Sequence, residues 1–204
     1  MPDYFAVFVL PRHLNLDLPA LERDFYAQSR KLHPDRFASK PAAAQEAALA
    51  QSSLLNDAYR TLRDPIARTQ HLLALEGVEL EEQSKSATEA ARTTGAEKKQ
   101  LIPPELLEEV FELNMQLMEM KAAKEFGDDA DPETRQNLEA AAASFNEKMS
   151  ATQRELEALW TRWDSALDAN DEPAQEAARD ALVALLNKRT YLRNLVRDVT
   201  AALE

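Results

Sequence analysis

The stretch Asp17–Lys40, DLPALERDFYAQSRKLHPDRFASK, decides the fold. Asp17 stands where a helix N-cap is expected, because a short carboxylate accepts the free amides of a first turn. Behind it Leu18, Leu21, Phe25 and Leu32 fall on one helical face. That helix must stop at His33, since the residue before Pro34 is pushed out of the α region. A second helix is expected from about Pro41 to Leu62, with Ala47, Ala48, Leu54, Leu55, Ala58 and Leu62 apolar. Another begins at Asp64-Pro65, where Pro suits a first turn, and carries Ile66, Leu72, Leu73 and Leu75. The expectation is an antiparallel helical hairpin joined by residues 33–40, HPDRFASK, with short flanking helices.

Composition extends the all-α expectation to the whole chain. Only 3 of the 204 residues are Gly, against roughly 7% in an average protein, and Ala, Leu and Glu dominate. The absence of Cys excludes disulfides, thiolate metal ligation and a Cys nucleophile. No apolar run approaches the roughly 20 residues of a membrane span, and the start MPDYFAVFVLPRH lacks the features of a targeting peptide. A soluble cytoplasmic protein is therefore expected. The net charge of −12 argues against nucleic-acid binding, which rewards a basic face. That charge is uneven: residues 1–75 are net +1, leaving −13 for the rest.

Between these parts, residues 76–103 hold two of the three Gly and a Ser/Thr/Lys/Glu-rich middle with no apolar face, and read as a mobile linker. Beyond it, three long helical patterns are separated by FGDDADP and DANDEP, each with a Pro at a plausible helix start. The first carries Leu106, Val110, Leu113, Leu117 and Met120. The second runs from Leu138 through Phe145, Thr152 and Leu156 to Trp163 and Ala166, and the third from Ala178 through Leu182, Leu185, Leu192 and Val199 to Leu203. Alternating steps of four and three make the seam of nearly antiparallel helices, so residues 104–204 are expected to form a three-helix bundle.

His33-Pro34-Asp35 in its setting goes beyond periodicity. It follows an amphipathic helix bearing Arg23, Arg30 and Lys31, precedes Arg36 and Lys40, and is followed by NDAYRTLRDP at 56–65. Together these features resemble a J-domain. With Asp3-Tyr4-Phe5 at the start, HPDRFAS at 33–39, QSSLLNDAYRTLRDPIARTQHLL at 51–73 and an acidic helical bundle after a linker, the chain is similar to the HscB-type J-domain co-chaperones of iron–sulfur cluster assembly. The likeness is tightest over 1–75.

This resemblance implies an adaptor without catalytic residues, cofactor or metal. Its J-domain, residues 1–75, would dock on an HscA/DnaK-type chaperone and stimulate ATP hydrolysis through His33, Pro34 and Asp35. Arg23, Arg30, Lys31, Arg36 and Lys40 would meet an acidic face of that chaperone. The bundle would bind the scaffold protein IscU through Leu107, Phe111, Glu112, Met115, Glu119 and Tyr191. Glu108 stands where relatives often have a long apolar side chain, and Met115 where they often have an acid. Periodicity independently shows a second apolar stripe beside the core one, Leu107, Phe111, Met115 and Met118, fringed by Glu108, Glu112 and Glu119.

Simpler readings stand beside these. The HPD segment also fits an ordinary helix-ending turn, the basic residues a solvated face, and the second stripe core packing or self-association. Trp160 and Trp163 read as core anchors or as surface aromatics of no special role. His13 and His71 have no ligand spacing, so no metal site is expected. A J-domain protein with a different client, or a helical scaffold with an accidental HPD turn, remain the alternatives.

Overall fold

The computed structural model describes residues 1–37, 39–78, 80, 104–126 and 131–204. Among these residues the protein is all helix and turn, without a strand. It divides into two compact units, one of Met1–Glu79 with Leu159–Asp180, the other of Leu80–Ala158 with Ala181–Glu204.

In the first unit, Asp3 caps α1 (Tyr4–Val7) by accepting the amides of Phe5 and Ala6. Helix α2 (Leu18–Lys31) starts under Asp17, whose carboxylate accepts the Ala20 amide at 3.0 Å. It closes at Leu32, one residue before His33, and a 3-10 turn spans Pro34–Arg36. Helix α3 (Ala42–Arg63) returns along α2, and Asp64 then caps α4 (Pro65–Leu75), accepting the Ala67 amide at 2.7 Å. The hairpin is pinned by Phe25 stacked on Tyr59, ring centroids 4.1 Å apart. Helix α1 lies against α4: Tyr4 stacks on His71 at 4.3 Å, and its amide donates to His71 Nε2. Phe5, Leu14, Leu62, Leu72 and Leu73 are wholly buried, each contributing about 1.5–3 kcal/mol of transfer free energy.

The same unit contains the end of α6 (Pro132–Asp168) and the start of α7 (Glu172–Leu203). Trp160 and Trp163 are buried there, which selects the core reading over the surface one, and both indoles donate: Trp160 to Thr69 Oγ1 at 2.9 Å and Trp163 to the Arg12 carbonyl at 3.0 Å. The Asp164 carboxylate accepts the amides of Leu14 and Asn15 and the Asn15 side chain, at 2.7–2.9 Å. Arg68 is 3% exposed, donates to the Leu62 carbonyl and lays its guanidinium over Trp160, 4.8 Å from the ring centroid. Burial pushes its pKa down, against the pull of Asp64 and Asp164.

Three helix ends share one device. After α1, α4 and α6 the chain turns through a left-handed residue at Val9, Gly77 and Asn170, and paired reverse hydrogen bonds close each end. Gly and Asn suit that conformation, whereas Val9, at φ 55° and 90% exposed, is a β-branched residue held where its side chain is strained.

In the second unit, a 3-10 turn at Pro104–Leu106 leads into α5 (Leu107–Phe126). Leu106, Val110, Leu113 and Met120 of this segment pack with Leu138 and Phe145 of α6 and with Tyr191, Leu192, Leu195 and Val199 of α7. In this unit the first helical pattern packs as a bundle with the part of the second around Leu138 and Phe145 and the part of the third from Tyr191 to Val199, whereas Trp163, Ala166 and Ala178 of the expected seams belong to the first unit. Lys148 pairs with Glu109 at 3.0 Å and Lys188 with Glu105 at 3.3 Å. Such partly exposed pairs add little, so apolar burial carries this unit.

Of residues 76–103, read as a linker, the described part is Glu76–Val78, Leu80 and nothing more; Glu76 pairs with Arg12 at 3.1 Å and Leu80 is buried. The remainder of that segment, and residues 127–130 of the FGDDADP cluster, lie outside the described residues.

Candidate functional site

Two surfaces present the residues singled out in the sequence, one in each unit. The first is the turn that ends α2. The Arg36 amide donates to the His33 carbonyl at 3.0 Å, and the Arg36 guanidinium donates to the Arg30 carbonyl at 3.4 Å. The turn is thereby closed on itself by its backbone and tied to the last turn of α2 by the Arg36 side chain. His33 Nδ1 lies 3.4 Å from the Asp35 amide nitrogen and 3.5 Å from its carboxylate. Both side chains are exposed, that of His33 at 59% and that of Asp35 at 89%.

Arg23, Arg30, Lys31, Arg36 and Lys40 are all exposed. Arg23 and Arg30, two turns apart, share a face of α2 opposite the buried Leu21, with the exposed Tyr26 between them. Arg30 and Lys31 also sit in the last turn of the helix, where the dipole favours cations. Lys40 lies across the loop and receives the Gln45 side-chain amide on its carbonyl. A cationic helix face running into a turn with exposed His33 and Asp35 side chains can steer and orient an acidic partner.

The second surface is α5. This helix is apolar on two opposite sides: Val110, Leu113 and Met120 face inward, as does Leu106 of the turn before it, while Leu107, Phe111, Met115 and Met118 are 56–73% exposed. Glu108, Glu112 and Glu119 are exposed along one edge of that outer stripe. Tyr191 is in a different place. It packs in the bundle core at 8% exposure, where burial pushes its phenol pKa up, and it is not part of the exposed stripe.

Among the described residues, no group of three or more His, Asp or Glu is placed to hold a metal ion, and no helix is long and apolar enough to cross a membrane.

No family model matches the chain. Two curated proteins of Vibrio cholerae serotype O1, from the classical Ogawa and El Tor Inaba strains and both named co-chaperone protein HscB homolog, are 34% identical to it over 152 residues, 74% of each chain. The chain belongs to the HscB co-chaperone family. The solved chaperone HscB of Vibrio cholerae matches 99% of this chain and 100% of its own, with 30% identity and a TM-score of 0.58. Human co-chaperone HscB has the same fold, with 24% identity and a TM-score of 0.57, covering 96% of this chain and 81% of its own. The fold is thus an N-terminal J-domain with a C-terminal helical bundle.

Several residues of these surfaces escaped sequence reasoning. Tyr26 could have been found from its spacing, three residues after Arg23 and four before Arg30. Phe126, 82% exposed, ends α5 beside a turn cluster and has the exposed stripe's spacing. The polar ties of Trp160, Trp163 and Asp164 had no local signal, because their partners lie some 90 to 150 residues away.

Proposed function

We propose that this protein is a cytoplasmic co-chaperone of iron–sulfur cluster assembly that delivers an IscU-type scaffold to an HscA/DnaK-type chaperone and stimulates its ATPase. The observation that carries this reading is the His33-Pro34-Asp35 turn, with the His33 and Asp35 side chains exposed and Arg36 tying it to the end of a cationic helix, in a chain of the HscB family.

In this reading Arg23, Arg30, Lys31, Arg36 and Lys40 steer an acidic face of the chaperone onto α2, and His33 and Asp35, held by the turn, act on its ATPase domain. The hydrolysis chemistry belongs to the chaperone. A stimulation of about a thousandfold would mean roughly 4 kcal/mol of barrier lowering. The scaffold is bound on α5, with Leu107, Phe111 and Met115 as apolar anchors and Glu112 and Glu119 on the acidic rim. Tyr191, from the core, supports this helix from behind.

The test is steady-state ATP hydrolysis by the chaperone with this protein, with and without IscU. The wild type stimulates and the scaffold adds to the effect, whereas Asp35→Asn, at an exposed position, folds normally and does not stimulate. Full stimulation by Asp35→Asn would overturn the reading. The departures at Glu108 and Met115 favour one alternative, a J-domain protein with a different client, and stimulation to which IscU adds nothing would select it.

A further inference from the structure

The outer stripe of α5 does not end at Met115. Leu107, Phe111, Met115, Met118, Ala122 and Phe126 follow one another at steps of four, four, three, four and four, which keeps all six on one side of the helix. Met118 and Phe126 are 73% and 82% exposed, more than any of the three anchors before them. At 1.5 Å per residue the stripe is about 28 Å long, against about 12 Å from Leu107 to Met115.

Its edges differ. Glu108, Glu112 and Glu119 line one side, and Asn114 and Lys121 the other, all exposed. A specific complex buries about 800 Å² on each partner, more than three side chains on a 12 Å segment supply. A second copy of this chain is a poor occupant. The chain carries −12, α5 itself has five acids against two lysines, and two such faces would bring carboxylate rims together.

We propose that the scaffold contact runs the full length of α5, with Met118 and Phe126 as anchors. Its occupant is an elongated amphipathic face of the scaffold, of helical dimensions, whose apolar ridge is flanked by basic side chains on the Glu edge. The inference rests on the proposed binding of an IscU-type scaffold by this helix. It extends that site to two residues it did not include, and it sets the partner's shape and charge.

The experiment is calorimetric titration of the full-length protein with purified IscU, for the wild type, Phe111→Ala, Met118→Ala and Phe126→Ala, with circular dichroism as a check on folding. Because both new positions are exposed, each variant keeps its helix content, and each is expected to weaken binding by about fivefold. Loss at Phe111→Ala with wild-type affinity for both Met118→Ala and Phe126→Ala overturns the extension and leaves the shorter site. Wild-type affinity for all three removes α5 as the binding face. No binding by the wild type overturns the extension together with the reading beneath it. Sedimentation equilibrium supplies the other arm: a wild-type dimer made monomeric by Phe126→Ala assigns the stripe to self-association and overturns the proposal.

Discussion

Helices α2 and α5 carry the two proposed partner surfaces, and they are built in opposite ways. Helix α2 buries Leu21 and shows a face of Arg23, Tyr26 and Arg30 with Glu22 and Asp24 exposed beside it, while α5 has an apolar face on each side and leaves one of them uncovered. A charged face is stable in water by itself, depends on ionic strength and favours fast, oriented encounter. An exposed apolar stripe gives affinity through desolvation and depends little on salt. The difference implies a quickly exchanging contact at the His-Pro-Asp turn and a longer-lived one on α5.

The largest perturbation separates the two at the level of stability. Trp163 is 2% exposed and hydrogen-bonded within the unit that holds α2, so Trp163→Ala is expected to destabilise that unit by about 3–5 kcal/mol. Chemical denaturation with a probe in each unit measures it. Equal loss of both units would show that they unfold as one.

Val9→Gly strengthens the same unit from the other direction. Removing a β-branched side chain from φ 55° relieves strain, and since the side chain is exposed no packing is lost, so a gain of about 1 kcal/mol is expected after the entropy cost of Gly. Thermal unfolding of the two proteins compares them directly.

Acid acts on this unit as well. Burial holds the His71 pKa below its ordinary 6.5, opposed by Asp3, and its Nε2 accepts the Tyr4 amide. The unfolded chain therefore binds a proton that the folded one refuses. His71 favours folding fully above pH 6.5, and this contribution is lost as pH falls from 6.5 toward the depressed folded value. Asp3 follows at lower pH: burial raises its pKa, but the Arg12 hydrogen bond and the α1 amides outweigh that and leave it below 3.8. Melting temperatures of the wild type and His71→Gln between pH 7.5 and 5.5 should show a slope in the first and a flatter line in the second.

The smallest effect belongs to the cations. Arg23→Ala with Arg30→Ala is expected to slow association with the chaperone several-fold at low salt and less at high salt, while the scaffold titration does not change. Stopped-flow association rates at two ionic strengths would show it.

What the sequence made legible was what local physics controls. Asp17, Asp64 and the prolines at 34 and 65 marked helix ends because capping and the pre-proline restriction act within a few residues. The two stripes of α5 could be separated because they alternate along one helix. Tyr191 could not be placed in the same way, since a helical aromatic at core spacing looks alike whether it packs inward or faces a partner. Nor could the junction of α6 and α7 with the N-terminal segment, where Asp164 meets Leu14 across 150 residues of chain. Val9 gave no signal either, because a valine at a helix end looks ordinary until its φ is known.

The central claim is that the two proposed surfaces act separately. The most direct measurement is chaperone ATPase activity over a titration of IscU with the wild type, Asp35→Asn and Phe111→Ala. The account predicts that Phe111→Ala stimulates like the wild type without IscU but gains little from it, its scaffold binding weakened by more than about 1 kcal/mol. It predicts that Asp35→Asn binds IscU normally and stimulates under no condition. Loss of basal stimulation in a folded Phe111→Ala protein, or of IscU binding in Asp35→Asn, would contradict it.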